Sequence, residues 1–234
     1  MLDIHSHILP KMDDGAKDNE ESIKLLRMSK EQGVTTMIST SHFYADRESP
    51  ESFLRRRAHA FRKIEPLLGD DTPSLMFGAE VLYFYGISRS KEVRDLAIEG
   101  TNLILVELPF HPWPENLLDD LLSFKYSSGL SIILAHIERY QDIQTKKAFR
   151  EMINCDEFYI QCNAEAFQFR ASKKLAFKLY KEDKLDFIGS DCHSTEHRPP
   201  KIDEDKKIFI KKFGEQAWKD FCRRSEQILE EHKI

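Results

Sequence analysis

Leu103-Ile104-Leu105-Val106-Glu107 and Ser131-Ile132-Ile133-Leu134-Ala135-His136 decide the fold, and Phe187-Ile188-Gly189 repeats their character. Each is a short, nearly unbroken apolar run. A strand with one wet face alternates apolar and polar residues, whereas an unbroken run must be covered on both faces, as in parallel sheets flanked by helices. Similar β-rich runs begin near Leu2, Val34, Ser74, Leu103, Leu130, Glu157 and Leu185, mostly 27 to 32 residues apart with one interval of 40. Stretches with helical spacing lie between them. Asp18 and Glu21 make a capping box, and Gly33 sits where a helix-terminating glycine belongs. Ser49-Pro50 reads as N-cap and first helical residue of a helix running to about Leu68. Trp113-Pro114 opens another helix that Gly129 closes. Seven β–α units of this kind predict an α/β fold, either a barrel or an open doubly wound sheet. No G-x-G-x-x-G turn follows the first strand, so the usual mark of a dinucleotide fold is missing. Residues 203–232 read as one or two helices with no eighth strand, and no linker divides the chain. A single domain over 1–234 is expected.

Composition narrows the function. Among 234 residues, 35 basic and 40 acidic side chains leave a net charge of −5, and 41% are hydrophobic. A nucleic-acid coat needs a basic surplus to displace counterions, so that class is disfavoured. No apolar run approaches the roughly 20 residues that span a bilayer. Met1-Leu2-Asp3-Ile4-His5 has neither a basic n-region nor an apolar h-region, so no secretory signal is expected. Cys155, Cys162, Cys192 and Cys222 show no CxxC pairing, and a reducing, cytoplasmic compartment is the simplest expectation.

The polar residues matter by position. His5 and His7 end the first strand run and His42 follows the second. Glu80 ends the third, Glu107 the fourth and His136 the fifth, while Asp191 and His193 follow the seventh. In an α/β barrel these strand ends form one rim, where active sites sit. His5/His7 and Asp191/His193 are i, i+2 pairs, which extended backbone points to one side. Converging imidazoles and carboxylates are a divalent-metal ligand set, and with no thiolate among them Mn²⁺, Fe or Zn²⁺ all suit. Other histidines read as bland: His59 lies on an Arg-rich helix face, and His111 and His232 belong to surface or loop. The Lys pairs at 146–147, 173–174, 206–207 and 211–212 read as solvated helix faces. Cys192 to Arg198 fits C-x5-R, the pattern of thiolate phosphatases. That chemistry needs glycine-tolerant amides curling around phosphate into a helix N-terminus. Here no glycine intervenes, Pro199-Pro200 follows, and Asp191 beside the thiol raises its pKa, so Cys192 reads as a bystander.

The ordered set of motifs resembles a known family. Asp3-Ile4-His5-Ser6-His7, Leu9-Pro10 and Asp13-Asp14-Gly15-Ala16 are similar to the opening of the polymerase and histidinol phosphatase (PHP) superfamily. Thr40-Ser41-His42, Gly78-Ala79-Glu80, Glu107-Leu108-Pro109, Ala135-His136-Ile137-Glu138-Arg139-Tyr140 and Ser190-Asp191-Cys192-His193 with Arg198-Pro199-Pro200 follow in order. The nearest resemblance is to the tyrosine-protein phosphatases of bacterial capsule and exopolysaccharide operons, and it covers essentially the whole chain. It implies a distorted seven-stranded (β/α)7 TIM-like barrel holding up to three metals, usually manganese. By that resemblance His5, His7, Glu80 and Asp191 hold one metal, Asp14, His42 and His193 a second, and Glu80, Glu107 and His136 a third. Arg139 and Arg198 correspond to the arginines that hold the substrate phosphate. Ile137 stands where the subfamily often has Pro, and Phe43 where it often has a second His. The implied activity is hydrolysis of phosphotyrosine, on the tail of a tyrosine kinase that regulates polysaccharide synthesis. The alternatives are a small-molecule phosphatase such as histidinol phosphatase, or a catalytically silent metal-binding regulator.

Overall fold

The computed structural model describes residues 1–234. In chain order it contains β1 (Leu2–Ser6), α1 (Asn19–Glu31), β2 (Thr36–Ser39), β3 (His42–Phe43), α2 (Pro50–Ile64), β4 (Ser74–Phe77), β5 (Glu80–Leu82) and β6 (Leu103–Glu107). There follow α3 (Leu117–Ser128), β7 (Ser131–Leu134), α4 (Lys146–Ile153), β8 (Tyr159–Asn163), α5 (Arg170–Lys181), β9 (Phe187–Gly189), α6 (Ile202–Phe213) and α7 (Glu215–Glu231).

Every strand ladder is parallel, in the orders β1-β2-β4 and β3-β5-β6-β7-β8-β9. The two curled sheets meet along a seam where β9 runs on beside β1. Asp191 N–H donates to His5 O at 2.8 Å, His7 N–H to Cys192 O at 3.0 Å, and Ser6 and Cys192 form an isolated parallel bridge. Where seven strands are expected there are nine segments, because the second and third units each break in two. Thr40-Ser41 and Gly78-Ala79 are the breaks. Thr40 N–H turns back to Ser6 O at 2.8 Å and Glu80 N–H reaches Thr40 O at 3.1 Å. The kinks set His42 opposite Glu80 in a new ladder.

Strand faces divide the core. Leu103, Leu105 and Ile133 join Leu2, Ile4, Ile38 and Phe187 in a cluster whose only helical members are Ile228 and Leu229 of α7. Their neighbours Ile104, Val106, Ile132 and Leu134 face outward, against Leu25, Leu26, Phe124 and Leu179 of the helix layer. Both faces are thus dry, as the apolar runs require. Helix α7 closes the end remote from the rim: Asn102 N–H donates to His232 O at 3.0 Å. There His232 also meets the Tyr159 hydroxyl at 2.9 Å.

The helix ends follow local chemistry. Asp18 caps α1 through Glu21 N–H at 2.9 Å, but the Glu21 carboxylate turns to Lys17 N–H and Thr195 N–H instead of closing the box. Ser49 caps α2 and Pro50 opens it, and a 3₁₀ turn over Glu65–Leu67 extends it, Pro66 being unable to donate to a further helical turn. Helix α3 starts at Leu117, later than Trp113-Pro114 suggested. Trp113 is held outside it, its N–H on Gln144 Oε1 at 2.8 Å and its indole on Pro109 O at 3.2 Å. The C-terminal segment is two helices parted at Gly214.

Candidate metal centre

The strand ends bring His5, His7, His42, Glu80, Glu107, His136, Asp191 and His193 together at one rim, with Asp14 at its lip. His5 Nε2 and His7 Nε2 lie 3.1 Å apart. Both face Glu80 Oε2, at 3.1 and 3.2 Å, and Asp191 Oδ1 at 3.6 and 3.5 Å. His42 Nδ1 reaches the same Glu80 oxygen at 3.0 Å. His136 Nε2 lies 2.8 Å from Glu80 Oε1 and 3.4 Å from Glu107 Oε1. Asp14 is 69% exposed, with its Oδ1 3.6 Å from His42 Nε2 and 3.5 Å from His193 Nε2. Three groups of donors are close enough for one ion each: His5, His7 and Glu80; His7, Asp14, His42 and His193; and His42, Glu80 and Glu107. Compared with the sets implied by the resemblance, Asp191 stands slightly back from the first group, His7 joins the second, and His42 takes the place of His136 in the third.

Asp13 is a further candidate site residue, one that the strand-end pattern does not single out. Its Oδ2 accepts His7 Nδ1–H at 2.8 Å and His42 N–H at 2.8 Å, while Oδ1 accepts Gly15 N–H at 3.0 Å. The carboxylate fixes His7 with Nε2 bare toward the centre, the usual outer partner of a ligating imidazole. The first Asp of Asp13-Asp14-Gly15 was the available signal. Gly15 is required because a Cβ there would lie 2.2 Å from His7 O.

Two of the rim residues adopt backbone that β-carbons disfavour. His136 has φ 30° and Asp191 φ 51°, both left-handed. Such conformations cost about 1–3 kcal/mol and persist where surrounding structure holds them.

Carboxylates and imidazoles of the rim shift one another strongly. Burial works to raise Glu80, but His5, His136 and His42 hold its carboxyl well below the usual range. Burial works to lower His136, and Glu107 and Glu80 overcome it, lifting the imidazole to about 10. Burial and the neighbouring His7 push His193 down to about 3. Glu80 Oε2, His42 Nδ1, His136 Nδ1 and His193 Nε2 are buried without an aligned hydrogen-bond partner. Two ligands at right angles on an ion at ~2.1 Å sit ~3.0 Å apart, which the His5–His7 separation matches. These residues fit divalent metal ions.

A cavity of about 390 Å³ opens over the cluster, walled by Tyr44, Tyr83, Pro109 and Phe110 and flanked by Arg139 and Arg198. Arg198 Nη2 lies 2.6 Å and Arg139 Nη1 3.6 Å from Asp191 Oδ2, with the two side chains 40% and 43% exposed. Arg139 also stacks over the Phe110 ring, 4.7 Å from its centroid. His111 lines the mouth without belonging to the cluster. His59 is exposed elsewhere, and His197 is exposed in the loop beside Asp191 and Arg198, outside the cluster. Cys192 is fully buried and outside the cavity, and burial and Asp3 push its thiol strongly upward.

The curled parallel α/β sheet, with its histidine–carboxylate cluster at the strand ends, has a TIM-like fold. The phosphotriesterase homology protein of Escherichia coli shares this fold, with TM-score 0.51, 10% identity and 93% of each chain covered. The family model for capsular polysaccharide synthesis, CpsB/CapC, matches residues 1–230, and the chain belongs to that family. It is 30% identical to tyrosine-protein phosphatase CpsB of Streptococcus agalactiae serotype III (strain NEM316) over 252 residues, covering 100% of both. It is 31% identical over 233 residues to CpsB of Streptococcus pneumoniae, covering 94% of each. A solved structure from work on YwqE of Bacillus subtilis and CpsB of S. pneumoniae, described as metal-dependent tyrosine phosphatases, superimposes with TM-score 0.82. That match has 23% identity and covers 100% of this chain and 96% of the other.

Proposed function

We propose that this chain is a manganese-dependent protein-tyrosine phosphatase acting on the phosphotyrosine-bearing tail of a bacterial tyrosine kinase that regulates capsular or exopolysaccharide synthesis. The carrying observation is the pair Arg139 and Arg198, both directed at Asp191 Oδ2 on the mouth of a cavity floored by the metal-ligand cluster. Guanidinium groups offer planar, paired N–H donors to phosphate oxygens and cannot ligate metal. In this reading nine residues ligate metal: His5, His7, Asp14, His42, Glu80, Glu107, His136, Asp191 and His193. Their nitrogen and oxygen donors suit manganese, with Fe or Zn²⁺ as substitutes. Bound divalent ions supply an activated water and neutralise phosphoryl oxygens as charge redistributes. Glu80 orients donors on three sides, and Arg139 and Arg198 hold the phosphate in line with the floor. Phe110 and Tyr44 shield an aromatic leaving group from bulk water. No protein nucleophile is required.

The nine strand segments read as seven staves, β2 with β3 and β4 with β5 each making one, in a single closed-barrel domain over 1–234. No helix is long and apolar enough to cross a membrane, and we place the enzyme in the cytoplasm beside its kinase. Rates on phosphotyrosine peptide, histidinol phosphate and single-stranded DNA, with manganese and with chelator, test the reading. Manganese-dependent release from the peptide above the other two supports it. Preference for histidinol phosphate, or metal binding without turnover, overturns it.

A further inference from the structure

Strand β8 is the one stave that supplies no candidate ligand, yet its buried side chains are hydrogen-bonded into the rim. Gln161 Oε1 lies 2.7 Å from His136 N and 3.2 Å from His5 Nδ1. Gln161 Nε2 lies 2.9 Å from Asn163 Oδ1, and Asn163 Nδ2 lies 2.7 Å from Asp191 Oδ2. Gln161 is fully buried and Asn163 nearly so.

Protons in this chain follow from one fixed donor. The His136 backbone N–H can only donate, so the Gln161 atom facing it is the carbonyl oxygen. Gln161 Nε2 therefore donates to Asn163, whose own amide nitrogen then donates to Asp191. Because Gln161 Oε1 is an acceptor, His5 must carry its proton on Nδ1. Its Nε2 is left with a bare lone pair toward Glu80 Oε2 and His7 Nε2. Asp191 is turned likewise: Asn163 and Arg198 occupy Oδ2, leaving Oδ1 toward His5 and His7. The fit leaves no slack, since a Cβ on Gly189 would lie 2.5 Å from His5 Cβ and 3.1 Å from Gln161 Nε2.

We infer that Gln161, with Asn163, is the positioning element of the metal centre: it sets the His5 tautomer, holds His136 in its left-handed turn and aims Asp191 Oδ1. The inference rests on the metal-centre reading above. Outer-shell partners of this kind commonly govern affinity about 10–100-fold.

The test uses the full chain stripped with EDTA and titrated with Mn²⁺ by calorimetry, alongside denaturant unfolding of the metal-free protein and ¹⁵N spectra of labelled histidines. Gln161→Met keeps the volume and removes the contacts to His5, His136 and Asn163; Gln161→Glu keeps the acceptor for His5 and His136 but loses the donor to Asn163. Gln161→Met should weaken the tightest Mn²⁺ step about 10–100-fold and lose the Nδ1–H signature of His5. Gln161→Glu should keep that signature and weaken Mn²⁺ binding less than Gln161→Met does. Wild-type Mn²⁺ affinity in folded Gln161→Met overturns the inference. So does equal weakening in both variants with matching loss of metal-free stability, which is what a merely structural glutamine gives. If Gln161→Met does not fold, Asn163→Ala decides: weaker Mn²⁺ binding supports the inference and unchanged binding overturns it. Wild-type protein that binds no Mn²⁺ removes the metal-centre reading itself.

Discussion

Arg198 Nη2 donates to Asp191 Oδ2 at 2.6 Å, while Arg139 Nη1 stands 3.6 Å from the same oxygen. One arginine is anchored and the other is held by stacking on Phe110, so both present free N–H edges to the cavity. Arg139→Ala and Arg198→Ala should keep fold and metal content. Each should lower kcat/KM on phosphotyrosine peptide roughly 10–1000-fold, as for a lost charge-assisted phosphate contact of about 1.5–4 kcal/mol. Arg198→Lys should not restore the rate, because an ammonium cannot bridge carboxylate and phosphate in one plane. Near wild-type turnover in both alanine variants would count against the clamp.

Cys192→Ser should keep most activity, and alkylating reagents should act slowly on the native protein. The thiol is fully buried, and burial chiefly, with Asp3 and Asp191 adding to it, disfavours the thiolate. A fall of several orders of magnitude with metal content intact would revive a thiolate mechanism.

Much of the fold is legible in the sequence, for definite reasons. Apolar runs covered on both faces stand out in a sequence, so the strand starts near Leu103 and Leu130 agree with the structure to within a residue. Ligand candidates were legible because parallel strands end on one side. What stayed hidden depends on partners far away in the chain. Asp13 matters through His7 and His42 N–H, and Gln161 through His5, 156 residues distant. The broken second and third strands follow from how Thr40 and Glu80 turn toward β1 and each other, which no local propensity records.

Metal analysis of protein purified without chelator should find more than one transition-metal ion per chain. EDTA should lower the melting temperature, and Mn²⁺ at ~100 times its Kd should return about 2.7 kcal/mol per independent site. Saturation at a single ion would defeat the multinuclear reading while leaving the barrel untouched.

Gly15→Ala and Gly33→Ala should differ. At Gly15 the obstacles are His7 O at 2.2 Å and His7 Cβ at 2.6 Å, neither able to swing away. At Gly33 nothing lies within 4 Å, and only the φ of +90° opposes a side chain. Gly33→Ala should cost about 1–2 kcal/mol; Gly15→Ala should cost more than Gly33→Ala and also weaken Mn²⁺ binding, since His7 must move. Denaturant unfolding of metal-free protein separates the two, and equal losses would contradict the close-approach argument.

Asp205 offers a test remote from the metal centre. It lies in α6, fully buried, with neither carboxylate oxygen in an aligned hydrogen bond. Burial chiefly, with Glu204 and Glu165 adding to it against a contact from Gln168, raises its pKa to about 8 from an ordinary value of 3.8. Between those values the folded chain holds a proton that the unfolded chain has released. The native state therefore binds more protons, and this group's contribution to stability falls as pH rises through the window. Asp205→Asn keeps the shape and cannot ionise. It should match wild type near pH 4 and exceed it by several kcal/mol at pH 8, since each unit by which the folded pKa is raised is worth about 1.4 kcal/mol once the unfolded chain has ionised. Urea unfolding in EDTA at pH 4, 6 and 8 measures the difference. A gap that stays flat across the three would show that Asp205 is ionised and paired in the fold.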